Sequence, residues 1–199
     1  MSLPPEVKTY RDLIAYQYAQ LIGVAAGIDD HGFIFSKFYK LQAGEIEMSS
    51  LTKEDKYQLQ EGVASCIYCG SEDDIGFDHI IPRSTGGPDT ISNQVPACQS
   101  CNSSKGDRDV IDWFRNQSCP IPRLVWGKYL KHLYEHRKTE GTLDESLPND
   151  ERNRWEGAEV TRTVSKRIRK RYRDSSSETP ISTGRSEPVN RSLSEFGAE

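Results

Sequence analysis

Residues 66–109 read CIYCGSEDDIGFDHIIPRSTGGPDTISNQVPACQSCNSSKGDRD, and the fold turns on this stretch. It holds two Cys-x-x-Cys pairs, Cys66/Cys69 and Cys98/Cys101. Two thiolates separated by two residues reach one tetrahedral ion, and two such pairs complete a four-cysteine zinc site. Two disulfides or four unrelated buried cysteines are the competing explanations, and the paired spacing favours the metal. With thiolate at every position the zinc is closed and structural. Gly70 suits the tight knuckle after the first pair. The gap from Cys69 to Cys98 exceeds that of a usual zinc ribbon, so it must fold as a structure of its own.

Inside that gap, Phe77–Ile81 reads as a short strand, apolar with Asp78 and His79 embedded in it. Pro82 ends it, Gly86-Gly87-Pro88 marks a turn, and Ile91–Ala97 reads as the returning strand. Asn102 directly follows Cys101, where a helix is expected to begin, since Asn and Ser favour helix starts. A β-hairpin, a helix and a zinc staple result, able to bring Asp78, His79, Asn93 and Asn102 together. The fold class expected is α+β, a small zinc-stapled core flanked by helices.

The pattern D-H-I-I-P-R-S-x-G-G…N…C-x-x-C-N-x-x-K-G resembles the HNH endonucleases in their zinc-stapled form. The resemblance covers residues 66 to about 109. It implies a ββα-metal fold and a DNA substrate. By it, His79 matches the general base that activates water. Asp78 and Asn102 match the ligands of one catalytic divalent ion, and Asn93 matches the residue that orients the histidine. Relatives often carry His where this chain has Asn102. The shell would then be all oxygen, which favours hard ions such as magnesium or manganese. The chemistry agrees: imidazole titrates near neutral pH and can take a proton from water, while a hard cation stabilises the leaving oxygen. Arg83, Lys105 and Arg108 stand beside this set in sequence and are expected to contact phosphates. A non-catalytic, zinc-stapled nucleic-acid-binding or scaffold module is the alternative.

Outside this core the chain divides into three further regions. Residues 1–62 read as a helical N-terminal region. Pro4-Pro5-Glu6 after Ser2 signals a helix start, and Val7, Tyr10, Ile14, Tyr18, Leu21 and Val24 recur at helical spacing up to Gly27. Phe33–Leu41 reads as a second helix or strand, and Thr52 with Asp55 resembles a capping box opening a helix to about Glu61. The nuclease core is expected over 63–117, ending in an amphipathic helix at Asp109–Asn116. Residues 118–138 form a basic helical extension. Its His132-Leu-Tyr-Glu-His136 matches an inverted zinc-peptidase motif, set aside because short motifs match by chance and the surroundings are basic. Residues 139–199 read as an acidic linker to about 160, a basic run at Arg162–Arg173 suited to nucleic acid, and a disordered tail from 174.

Composition bounds the rest. The 199 residues carry a net charge of −4, so phosphate contact must come from local clusters. Mean hydropathy is −0.71. No run of about 18 apolar residues is present, so no membrane span is expected. The start lacks the basic and apolar regions of a secretory signal, and zinc-type cysteines suit a reducing compartment, so a cytoplasmic location is expected. Cys119, the odd cysteine, is expected to be an inert thiol. Oligomeric state is not legible.

Overall fold

The computed structural model describes residues 2–48, 65–117, 119–156 and 160–161. The helix expected after Thr52, the basic run at 162–173 and the tail lie outside the described residues. Helix α1 spans Tyr10–Ala26. It starts later than Pro4-Pro5 suggests, because Val7 N–H closes a turn on Pro4 O at 3.1 Å and the capping box sits at Thr9. There the Thr9 hydroxyl accepts from Asp12 N–H at 3.2 Å, and the Asp12 carboxylate accepts from Thr9 N–H at 3.0 Å. Gly27 closes the helix in the left-handed region, as its sequence position suggests. The second element is a helix, α2, at His31–Gln42, capped by Asp30, which accepts from Phe33 N–H at 2.7 Å. It buries Phe38 against Ala15 and Ala19 of α1.

Strand β1, Ile75–His79, pairs antiparallel with β2, Gln94–Cys98, in a register that sets Asp78 opposite Val95 and His79 opposite Gln94. Both strands are displaced from the expected ranges. Ile91–Asn93 is a single 3-10 turn, and beyond His79 the ladder continues only as Ile80 N–H to Asn93 O at 2.8 Å. Helix α3, Gln99–Lys105, begins at Gln99 with Cys98 at its N-cap position. Asn102 therefore lies inside the helix rather than opening it. The second zinc pair spans the first turn, so strand passes to helix without a loop.

Helix α4, Val110–Gln117, buries Val110, Ile111, Trp113 and Phe114. Trp113 and Phe114 meet Tyr68 of the zinc knuckle edge-on, at 4.9 and 5.7 Å between ring centres. Asp109 caps α4 by accepting from Ile111 N–H at 2.8 Å, and it also accepts from the Tyr129 hydroxyl at 2.8 Å. Strand β3, Ile121–Pro122, precedes the long helix α5, Arg123–Glu140, and pairs in parallel with β4, Val160–Thr161. The short helix α6 covers Asn149–Trp155.

The segment expected to be a linker is, over 139–156, part of the folded body. Most of its acidic residues face water, while Leu143, Leu147 and Trp155 enter the main apolar cluster. Arg11 N–H donates to Leu143 O and Leu147 N–H to Lys8 O, each at 2.8 Å. The Trp155 ring lies 5.3 Å from Trp126 and 6.0 Å from Tyr129. That cluster runs from Leu3 through the cysteines to Trp155, and a smaller one joins Phe38 of α2 to Ala15 and Ala19 of α1.

Trp155→Ala should cost about 3–5 kcal/mol, as for other buried aromatic truncations. Urea unfolding checks this; a loss below about 1 kcal/mol, typical of a surface site, would put Trp155 outside the core.

Candidate zinc cluster and hydrolytic site

The sulfur atoms of Cys66, Cys69, Cys98 and Cys101 all lie within 4.8 Å of one another, and all four residues are buried. A tetrahedral zinc with sulfurs at about 2.3 Å sets them about 3.8 Å apart, and Cys69 and Cys98 are separated by 3.7 Å. None of the four is in a disulfide. The knuckle is built by Cys66 N–H to Ser71 O and Gly70 N–H to Cys66 O, both 2.7 Å, with Gly70 at φ 75°. Ile67 N–H to Pro96 O, at 2.9 Å, ties it to β2. Hydrogen bonds from Cys101 and then Cys69 push the Cys66 thiol down to about 2, while its bond to Cys66 pushes Cys101 far up. The cluster thus stabilises one thiolate at its neighbours' expense. A cation is what lets all four ionise, and the donor set fits zinc.

Asp78 is 3 % exposed. The Tyr68 hydroxyl donates to its Oδ2 at 2.5 Å, and Lys105 Nζ donates to its Oδ1 at 3.2 Å. Lys105 is 1 % exposed and also donates to His79 O at 2.6 Å. Burial raises the Asp78 carboxyl above its ordinary value, against the pull of Lys105 and Tyr68. Burial, then the charge of Asp78, raises the Tyr68 phenol well above its usual range, so Tyr68 stays a donor. Asn102, one turn before Lys105 on α3, donates from Nδ2 to Phe77 O at 3.2 Å. It therefore touches the strand next to Asp78, with its amide oxygen uncommitted among the described residues.

His79 is the next residue of β1, so its side chain leaves the opposite face of the hairpin from that of Asp78. Its Nε2 is 2.8 Å from Asp89 Oδ1 and 3.2 Å from Gln94 Nε2. Gln94 Nε2 also donates to Asp89 Oδ1 at 2.9 Å. Asn93 is fully buried and holds the intervening loop rather than the imidazole. Its Oδ1 accepts from Ile81 N–H, and its Nδ2 donates to Ile81 O and Pro88 O, all at 2.9 Å. Gly87 packs so closely that a Cβ would come 2.0 Å from Ile81 O, which only glycine avoids.

Of the three cations expected at phosphates, Arg83 is exposed, with Nη1 3.8 Å from Asp89. Arg108 is exposed and donates from Nε to Lys105 O at 3.2 Å. Lys105 corrects the expectation: it is internal, because a buried carboxylate needs a paired charge more than the surface needs a cation. Lys128 of α5 is likewise 3 % exposed, donating to Ile91 O at 2.8 Å and Gln94 O at 2.6 Å. In the peptidase-like motif, His136 pairs with Glu140 at 3.4 Å and the three residues form no metal cluster among the described residues. Cys119 donates to Gln117 O at 3.2 Å. Tyr68, Asp89 and Gln94 were not singled out from the sequence. Their only signals were a tyrosine inside the first CxxC and a carboxylate directly after a Gly-Gly-Pro turn.

No helix among the described residues is long and apolar enough to cross a membrane. Two proteins named CRISPR-associated endonuclease Cas9 resemble part of the chain. That of Corynebacterium diphtheriae is 38% identical over 68 residues, covering 32% of this chain and 6% of the relative. That of Actinomyces naeslundii is 31% identical over 111 residues, covering 52% of this chain and 10% of the relative. The chain thus spans a tenth or less of the relatives it matches. No solved structure gives a significant match. Residues 66–108 match the family model of the HNH endonuclease, and with both cysteine pairs, the hairpin and α3 inside it this stretch is an HNH endonuclease domain.

Proposed function

We propose that the chain hydrolyses phosphodiester bonds in DNA through this domain, with His79 as general base and one divalent ion held by Asp78 and Asn102. The observation that carries the reading is the docking of Asn102 on β1. Its Nδ2 donates to Phe77 O, the carbonyl just before Asp78, and this leaves the amide oxygen for a cation. Asp78 has internal partners, but an ionised carboxylate offers about four acceptor sites, so Tyr68 and Lys105 do not exhaust it. A carboxylate and an amide oxygen suit magnesium or manganese. Such an ion would neutralise charge on the phosphate and the leaving oxygen. The chain's own part is to take the proton from water at His79 and to hold the strand. Arg83, Arg108, the exposed end of α5 and the run at 162–173 supply phosphate contacts. Zinc in the cysteine cluster would supply folding energy to the hairpin and α3.

One observation favours a second reading, a zinc-stapled nucleic-acid-binding module without catalysis. Lys105 already neutralises Asp78, so the carboxylate has a partner without a metal.

Nicking of plasmid DNA with magnesium or manganese, against a chelator control, separates the two. His79→Ala should slow cleavage about 10²–10⁴-fold with zinc content and melting unchanged; cleavage at the wild-type rate would reject the base assignment. For the cysteine cluster, elemental analysis should find about one tightly held zinc per chain. Cys66→Ser or Cys101→Ser should unfold the domain, and a metal-free chain with full stability would exclude the staple. Asn102→Ala should lose activity at low metal and recover part of it at high metal, while Asn102→His should shift preference toward nickel or cobalt. Indifference to Asn102→Ala would make its amide a strut on Phe77 O alone.

A further inference from the structure

Between β1 and β2 the chain folds back on itself to deliver one carboxylate to His79. Pro82 O receives Thr85 N–H and Gly87 N–H, each at 3.0 Å. Gly86 takes φ 89°, and Gly87 has no room for a side chain. The Asn93 amide then clamps Ile81 and Pro88 together from beneath. Asp89 follows this clamp directly and points out: its side chain is 58 % exposed, yet Oδ1 sits 2.8 Å from His79 Nε2. Most exposed carboxylates are free to move through solvent. This one is held by its backbone and by a second donor, Gln94 Nε2, at 2.9 Å.

We propose that Asp89 is the positioning residue of the hydrolytic site: it accepts the Nε2 proton of His79 and so keeps Nδ1 as the basic nitrogen. The inference rests on the reading of His79 as general base. A neutral imidazole carries one proton, and the partner of one nitrogen decides which nitrogen keeps the lone pair. Asp89 is acceptor-only, so it selects Nε2–H. Among the described residues nothing engages Nδ1, which is left for water.

Gln94 sharpens the inference. Its Nε2 is a donor only, 3.2 Å from His79 Nε2. While Asp89 is present, both N–H groups converge on the same Oδ1. Without Asp89, the Gln94 amide is left to donate to His79 Nε2. That requires Nε2 to be unprotonated, so the proton moves to Nδ1 and the lone pair is tied up at Nε2. Asp89→Ala should therefore invert the tautomer, and removing Gln94 as well should restore it.

Long-range proton–nitrogen correlation spectra of the ¹⁵N-histidine-labelled full chain, with His79 assigned by His79→Gln, read the tautomer without any need for catalysis. The wild type should show Nε2–H, Asp89→Ala should move to Nδ1–H, and the Asp89→Ala/Gln94→Ala pair should return toward Nε2–H. Single-turnover cleavage at saturating DNA should fall at least about 10-fold in Asp89→Ala, within the 10²–10⁴-fold span for loss of a base. It should recover in part in the double variant and in Asp89→Glu. A wild-type Nδ1–H tautomer would overturn the proposal whatever the variants do. So would an unchanged tautomer or rate in Asp89→Ala while His79→Ala is inactive. If His79→Ala cleaves normally, the base assignment itself fails, and the spectra still decide what Asp89 does to the imidazole.

Discussion

Four thiols within 4.8 Å of one another need a cation between them, and the rest of the domain is arranged around that need. The first pair sits on a knuckle tied to β2 through Ile67 and Pro96. The second pair spans the end of β2 and the first turn of α3. One cation therefore fixes where the helix leaves the strand and about which direction it sets off. Asn102 follows the last thiolate directly, so its angle around the helix is set at the same moment. Lys105 is one turn further and points the same way, down onto β1. With a hairpin of two five-residue strands, no packing argument alone would hold that register.

The second constraint is electrostatic. Asp78 is buried on the inner face of β1, where an unpaired carboxylate would be costly. Lys105 meets it, and Tyr68 adds a neutral donor from inside the zinc knuckle. These contacts knit three segments that the cysteines already bring together: knuckle, strand and helix. Removing one partner of such a pair leaves the other charged and dry, which typically costs about 3–5 kcal/mol. The charge of Asp78 is thus satisfied because Lys105 is drawn inward.

Much of this was legible in the residues and some was not, for identifiable reasons. The cysteine spacing, the hairpin, the helix that closes the domain and the helix stop at Gly27 all rest on local chemistry, and local chemistry is what a sequence displays. Strand ends were misplaced because Ile80 and Ile81 look like strand but turn away to Asn93. The helix start was put at Asn102 because Asn is a good cap, whereas the zinc pair makes Cys98 the boundary. The fold of 139–156 was hidden by its charge. Three apolar side chains, Leu143, Leu147 and Trp155, anchor it, and they are too widely spaced to show a period. Asp89 carried no sequence signal of its role, and Lys105 was expected at the surface. A carboxylate in a turn and a lysine on a short helix look like surface, and only the long-range fold reveals what each one touches.

The two internal lysines explain how so small a hairpin is gripped from both sides. Lys105 reaches from α3 to His79 O at the end of β1. Lys128 reaches from α5 to Ile91 O and Gln94 O at the start of β2. His79 O and Gln94 O belong to the last pair of the ladder and Ile91 O to the turn before β2, and each receives a charged donor. Charge-assisted bonds of this kind are about twice as strong as neutral ones. The residues they steady, His79 and Gln94, face each other across the ladder and share Asp89. The positive charge of α5 is thus divided by depth: Lys128 serves the hairpin, and only the later turns, with Lys138 among them, present cations to solvent. Arg83 in turn lies beside the same loop, its Nη1 3.8 Å from Asp89 Oδ2. On the proposed reading, the carboxylate that orients the histidine and the cation that receives the phosphate are neighbours, so binding and proton transfer would draw on the same short loop.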